Sequence, residues 1–312
     1  MTFLSYKLKD RYPSLSSLGV AVEYFPHYIH RTVQFHTLDV VLLTFILRGN
    51  GHHLIDDEAF EERGASLAVT HYGQRHDLLT DARGMEVINI YLDLENFPLP
   101  VLPRDLQQVL PLFLPLHRKF QHHLNRIVRM QFAQPEQASS SLFAILCEQE
   151  QREAGCEEAI LLHFKLFLIA CCRHAMRNGF VGRRPGSTHP HARLEQLRQH
   201  LDTAYAEPHT LDTLARQAGL SRTYLCRAFK TYTGKPLFEY LIERRIQAAM
   251  MRLRGGDEKI LTIALDCGFN DLAYFNRKFK QLLGQSPSTY RASNPAAARS
   301  LDPFRPLGPF AG

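Results

Sequence analysis

The sequence predicts two domains. The first is an α+β half in which antiparallel strands come first and helices follow. The second is an all-α half made of two helix-turn-helix units joined by a helix. Three observations predict this. The chain has 312 residues, about two domains at the usual 100–200 residues each. Short, glycine-punctuated strands fill the first hundred residues, whereas from Pro98 the apolar spacing becomes helical. A stretch beginning at Leu214 recurs 49–50 residues later.

Composition supports a folded chain. Apolar residues make up 45% and charged residues 22%, which excludes a disordered, collagen-like or disulfide-stapled protein. No uninterrupted apolar run reaches the roughly 18–20 residues of a membrane span. The start, MTFLSYKLKDRYPSL, lacks a secretory pattern. A cytoplasmic protein with no membrane partner is expected. The six Cys form no CxxC pair and are expected to be small buried apolar residues.

In the N-terminal half, expected at 1–180, Leu38–Leu47 is a continuous apolar run followed by a Gly49-Asn-Gly51 turn. His52–Ile55, Ser66–Thr70 and Met85–Leu92 read as further strands of a sandwich or barrel. Leu106–Leu116, His117–Phe132 and Ser139–Glu153 read as helices. Glu157–Met176 is apolar almost all round, so it belongs either inside its own domain or against a second subunit. The subunit interface is the favoured reading, with Leu162 and Phe167 as contacts of a homodimer. Residues 181–192 combine Gly, Pro, Ser and His without periodicity and are expected to be a linker. The Pro- and Ala-rich tail, 293–312, is expected to be disordered.

The C-terminal half, 193–292, holds the charge. Residues 193–291 contain 16 Lys+Arg against 10 Asp+Glu, whereas the remainder has 21 of each, so the whole net charge of +6 lies there. Such asymmetry suits a polyanion partner. In the repeat, Ala215 and Gly219 match Ala264 and Gly268. Tyr224, Arg227, Phe229, Lys230 and Gly234 match Tyr274, Arg277, Phe279, Lys280 and Gly284. The first helices are Leu211–Gln217 and Ile260–Asp266, and Ser221 and Asp271 can cap the second ones. At about 100° per residue, Leu225, Phe229 and Tyr232 share one face of the second helix, with Thr223, Cys226, Arg227 and Lys230 opposite. In the second copy Phe275, Phe279 and Leu282 face inward, with Ala273, Asn276, Arg277 and Lys280 opposite. A helix pinned by aromatics beneath and basic above is what entry into the major groove of double-stranded DNA requires. Arg222, Lys230 and Lys280 are expected at phosphates, which position without specifying sequence. Leu237–Arg254 fixes the relative placement of the two units.

These residues resemble the AraC/XylS family of bacterial transcription regulators over about 193–291. The match includes Ala264-x3-Gly268-Phe269, Phe275-x-Arg277-x-Phe279-Lys280 and Gly284-x2-Pro287-x2-Tyr290-Arg291. The resemblance implies a DNA-binding domain of about seven helices. It also implies that Thr223, Cys226 and Arg227, with Ala273, Asn276 and Arg277, face base edges. Cys226 and Ala273 depart from the longer polar residues common at their positions. The N-terminal half is similar to a cupin-like β-barrel that binds a small-molecule effector and carries a dimerising helix. Family analogy further implies activation through RNA polymerase.

Histidines 27, 30, 36, 52, 53, 71 and 76 lie in the barrel region. The His-x-His pair of metal-binding cupins is missing, so no metal and no cofactor is expected. Arg31, His36, Asp39 and His76 are candidates for an effector pocket. No Walker loop, GxSxG or dinucleotide fingerprint appears, so an enzyme is not expected. The alternatives are a ligand-independent regulator controlled by a protein partner, and a metal-dependent cupin enzyme fused to a DNA-binding domain.

Overall fold

A computed structural model describes residues 4–9, 11–55, 58–114, 128–179, 189–254 and 258–293. Most of the expected linker and all but the first residue of the expected tail lie outside these, as does the start of the helix expected at His117–Phe132.

The N-terminal half contains β1 (Leu4–Tyr6), α1 (Pro13–Leu18), β2 (Val20–Tyr28), β3 (His36–Leu38), β4 (Val41–Arg48), β5 (Asn50–Ile55), β6 (Glu58–Arg63), β7 (Ser66–Thr70), β8 (His76–Thr80) and β9 (Met85–Leu92). Then come α2 (Arg104–Gln107), α3 (Leu110–Phe113), β10 (Val128–Gln131), α4 (Glu136–Gln151) and α5 (Cys156–Asn178). The strands form two five-stranded sheets, ordered β1-β3-β8-β5-β6 and β10-β7-β4-β9-β2. Small apolar clusters join them face to face: Ile46 and Val87 meet Leu78, and Ala68 meets Ile55.

Three expectations need correction. The apolar run at Leu38–Leu47 is not one strand. It breaks at Asp39, whose Oδ1 accepts the backbone N–H of Leu8 at 2.9 Å. Pairing is not wholly antiparallel, because β1 runs parallel to β3. Val128–Gln131 is not the end of a helix. It is a strand that completes the second sheet against β7, where Met130 is fully buried.

The second sheet carries the main core on its outer face. Val41, Leu43 and Phe45 of β4, with Ile88, Ile90 and Leu92 of β9, pack with Leu142 and Ile145 of α4 and Phe164, Phe167 and Leu168 of α5. Each such side chain contributes about 1.5–3 kcal/mol. By length and composition α5 could cross a membrane, with a mean hydropathy of 1.5 over its most apolar window. Its apolar character has two sources here. Phe167 and Leu168 are fully buried in this core, while Leu162, Leu166 and Met176 are 62%, 53% and 58% exposed. Phe167 therefore cannot belong to a subunit contact, because it is already part of its own domain.

The C-terminal half contains α6 (His189–Thr203), α7 (Leu211–Ala218), α8 (Arg222–Thr233), α9 (Leu237–Arg254), α10 (Ile260–Asp266), α11 (Leu272–Leu283) and α12 (Pro287–Ala292). Helix α9 serves two cores. Its first half places Leu237, Tyr240 and Leu241 with α6, α7 and α8, against Leu197, Leu214, Leu225 and Phe229. Its second half places Ile246, Ala249, Met250 and Leu253 with Ile263, Phe275, Phe279 and Tyr290. Between them lies a buried polar band. Lys235 Nζ meets Glu243 at 2.6 Å, and Arg244 Nε meets Asp202 at 3.1 Å. Charges buried this deeply are tolerated only when paired.

Candidate nucleic-acid interface and inter-sheet site

Both helix-turn-helix units assemble as local sequence chemistry requires. Ser221 accepts the N–H of Tyr224 at 3.3 Å, and Asp271 accepts that of Tyr274, so each recognition helix has its side-chain cap. Ala215 and Ala264 are buried where the paired helices approach. Gly268 has φ +86°, and an added Cβ would lie 2.7 Å from the carbonyl oxygen of Ala206, so both conformation and space call for glycine.

Burial sets the rotation of the recognition helices. Leu225 and Phe229 in α8, and Phe275 and Phe279 in α11, are fully buried. Thr223, Cys226, Arg227 and Lys230 are all exposed, as are Ala273, Asn276, Arg277 and Lys280. The third inward position differs from expectation in both copies. Thr233 and Leu283 are the buried residues, whereas Tyr232 and Leu282 are half-buried. Tyr232 stays at the edge because its hydroxyl donates to Glu195 at 2.6 Å.

Among the described residues Arg227, Lys230 and Lys280 have no ion-pair partner. Arg222 differs: its guanidinium pairs with Asp212, and that partner has to yield before Arg222 can serve a phosphate. The Arg277 guanidinium lies 5.9 Å from the Tyr274 ring. A cleft of about 440 Å³ runs beside it, lined by Leu272, Asn276, Arg277, Lys280, Ser286 and Ser288 among others. The two serines are absent from the expected contacts. The only cue to them was the Gly284-x2-Pro287 spacing, which brings the start of α12 beside α11. Two of the six cysteines contradict the expected burial: Cys226 is exposed on α8 and Cys147 on α4.

The four residues expected to form an effector pocket separate. Arg31 is exposed on the loop after β2, and Asp39 is engaged with the N-terminal segment. His36 and His76 do meet, with ring centroids 4.4 Å apart. Sequence reading missed the third member, His53, whose Nε2 lies 3.2 Å from His76 Nδ1. Alternation along β5 was the available signal, since Gly51, His53 and Ile55 are buried and share one face.

Opposite these rings the second sheet presents a polar row. Its register aligns Glu23, Asn89, Thr44, Ala68 and Arg129 across five strands, on the face away from the helices. At one end Glu23 accepts the hydroxyls of Tyr12 and Tyr91. At the other, fully buried Glu62 pairs with Arg129 at 3.1 Å and accepts from Ser66 at 3.0 Å. In the middle, His53 Nδ1, His76 Nε2, Thr70 Oγ1 and Asn89 Oδ1 are buried with no hydrogen-bond partner among the described residues. Among the described residues no three His, Cys, Asp or Glu side chains converge to hold a metal ion.

Comparison with known proteins supports the reading of the C-terminal half. Residues 214–293 match a family model described as a helix-turn-helix domain. The regulatory protein SoxS of Salmonella typhimurium is 35% identical over 98 residues, covering 31% of this chain and 88% of SoxS. The chain belongs to the AraC/XylS family of transcription regulators. Other relatives share the same segment with this regulator. Rob of S. typhimurium is 37% identical over 36% of this chain and 38% of its own length. YdeC of Bacillus subtilis, an HTH-type transcriptional regulator, is 30% identical over 33% and 35%. The regulator thus spans little more than a third of these longer relatives. An overlay on ToxT of Vibrio cholerae reaches 88% of this chain and 98% of that one at 13% identity, but its TM-score of 0.35 is too low to bear on the fold.

Burial lowers the pKa of His53 to about 3 and holds that of His76 well below the usual imidazole value. Unfolded, both take a proton near 6.5; folded, they resist it. Their contribution to stability is therefore complete above about pH 6.5 and lost progressively as pH falls toward 3. Urea unfolding of the wild type between pH 7 and 5 is expected to show a fall in stability that is shallower in His53→Gln. Equal slopes contradict this assignment.

Proposed function

We propose that this regulator reads a specific operator with α8 and α11 together, pairs with a second copy through α5, and senses an uncharged small molecule between its two sheets. The observation that carries the DNA reading is the matched exposure of Arg227 with Lys230 and of Arg277 with Lys280, each pair above a fully buried phenylalanine. Arg227, Arg277 and Asn276 are long enough to read base edges, Thr223 can do so at close range, and Cys226 and Ala273 suit a thymine methyl. Lys230 and Lys280, with Arg222 once released from Asp212, hold phosphates. Family analogy supports activation through RNA polymerase and a place in the cytoplasm. No catalytic role is assigned to the chain.

The effector reading rests on the inter-sheet site. In the hydrogen-bonded His53–His76 pair, whichever ring donates, one free end is left a donor and the other an acceptor. Both rings are neutral at physiological pH. A neutral ligand bearing hydroxyl or amide groups satisfies both ends, whereas a carboxylate meets one acceptor, and the nearby cation, Arg129, is already paired with Glu62. The dimer reading rests on the exposed Leu162, Leu166 and Met176 of α5.

Selection of bound genomic fragments supplies the operator. On it, Arg277→Ala is expected to cost about 1–3 kcal/mol and to relax preference at one base pair. Lys280→Ala is expected to weaken binding to all sequences alike and to lower the salt slope by about one unit. Equal losses for Arg277→Ala on operator and random DNA would reduce that arginine to a phosphate contact.

Leu162→Glu combined with Leu166→Glu is expected to give folded monomers in sedimentation. A folded dimer excludes α5 as the interface.

In a thermal-shift panel of sugars, aromatic acids and fatty acids, a neutral hydroxylated compound is expected to stabilise the wild type, by about 2.7 kcal/mol at a hundred times its Kd, and not His53→Leu. No shift with any compound favours the ligand-independent alternative.

A further inference from the structure

The expected linker, 181–192, overlaps the start of α6 at 189–192, and α6 packs with the first helix-turn-helix unit. Packing connects the domains elsewhere. Val109, Leu110 and Phe113, in and beside α3, belong to one continuous apolar core that includes Met250, Met251 and Leu253 of α9 and Phe275 and Phe279 of α11. The first unit has its own core, built from α6, α7, α8 and the first half of α9. The buried polar band of Glu243, Arg244 and Gln247 lies between the two halves of α9.

Among the described residues a polar contact supports this docking. Gln107, 8% exposed at the end of α2, donates from Nε2 to the backbone carbonyl of Met251 at 2.6 Å. Met251 sits in the last turn of α9, where carbonyls run out of donors from their own helix. Gln107 therefore caps, from another domain, the helix end from which the second unit departs. Helix α2 also packs on α5, so the same short segment touches the N-terminal helix pair and the end of α9.

We infer that the docking seen among the described residues, through α2 and α3 on the C-terminal end of α9, braces the core beneath α11 and leaves the separate core beneath α8 unbraced. A change within the N-terminal domain then reaches the two recognition helices by different routes. It reaches α11 directly, through packed side chains and the Gln107 hydrogen bond, and α8 only at second hand, along α9 and through the linker. The second unit is the regulated reader, and the first is the constant one.

Hydrogen exchange on the full-length protein tests this without knowledge of operator or effector. Gln107→Met keeps the side-chain shape and removes the donor. Gln107→Glu, measured at pH 8, sets a carboxylate against the electron-rich end of α9. Amides of α10 and α11 are expected to exchange about five-fold faster in Gln107→Met, the ratio set by one ordinary hydrogen bond, and faster still in Gln107→Glu. Those of α7, α8 and the sheet strands are expected to keep their wild-type rates. Equal acceleration in both units, general loss of protection, or no change in α10 and α11 in either variant would overturn the inference.

Discussion

The architecture depends on the double duty of α9. A helix that served one core would leave the two recognition helices free to reorient. Here Leu237, Tyr240 and Leu241 are held by the first unit, and Ile246, Ala249, Met250 and Leu253 by the second, so a single rigid rod spans both. The paired charges between them cannot slide into either apolar half without losing their partners. Spacing and rotation of the two units are thus fixed by desolvation as well as by packing.

Within each unit a division of labour follows from helix geometry. Aromatic rings beneath α11 meet in series at steep angles, with Phe275 to Phe279 at 5.6 Å and Phe279 to Tyr290 at 5.5 Å between centroids. Such a series leaves little rotational freedom, and it turns Asn276, Arg277 and Lys280 to solvent. The basic face is held outward by what lies below it. Among the described residues Lys280, like Arg227 and Lys230 of α8, has no ion-pair partner competing with a nucleic acid. Arg222 beside Asp212 is the exception.

The C-terminal half was readable because its determinants are local. Caps at Ser221 and Asp271, left-handed Gly234 and Gly284, and a 3.6-residue period all act within one or two turns. They were recognisable from spacing alone. What failed there was one step of angular drift, at Tyr232 and Leu282, near the helix ends. The N-terminal half was readable as strands but not as a site. The strand β10, the contact between His53 and His76, and the row from Glu23 to Arg129 all arise from pairing between distant segments. A strand's own sequence does not announce its partner. Asp39 shows the same limit: a carboxylate that looked available for a ligand is taken by a backbone N–H from the far N-terminus.

The separate core of the first unit has an evolutionary consequence. Because, among the described residues, Leu197, Leu214, Leu225 and Phe229 form a cluster separate from that of the sheets, substitutions there have to be matched only within the first unit, by Leu237, Tyr240 and Leu241 of α9. Changes around Phe275, Met250 or Leu253 are constrained by Leu110 and Phe113 and must be accommodated jointly. On the proposed reading, drift in target sequence is therefore freer for α8 than for α11. A recombinant that exchanges the first unit together with its half of α9 keeps that core whole, whereas one that exchanges the second unit also imports a foreign joint with the N-terminal domain.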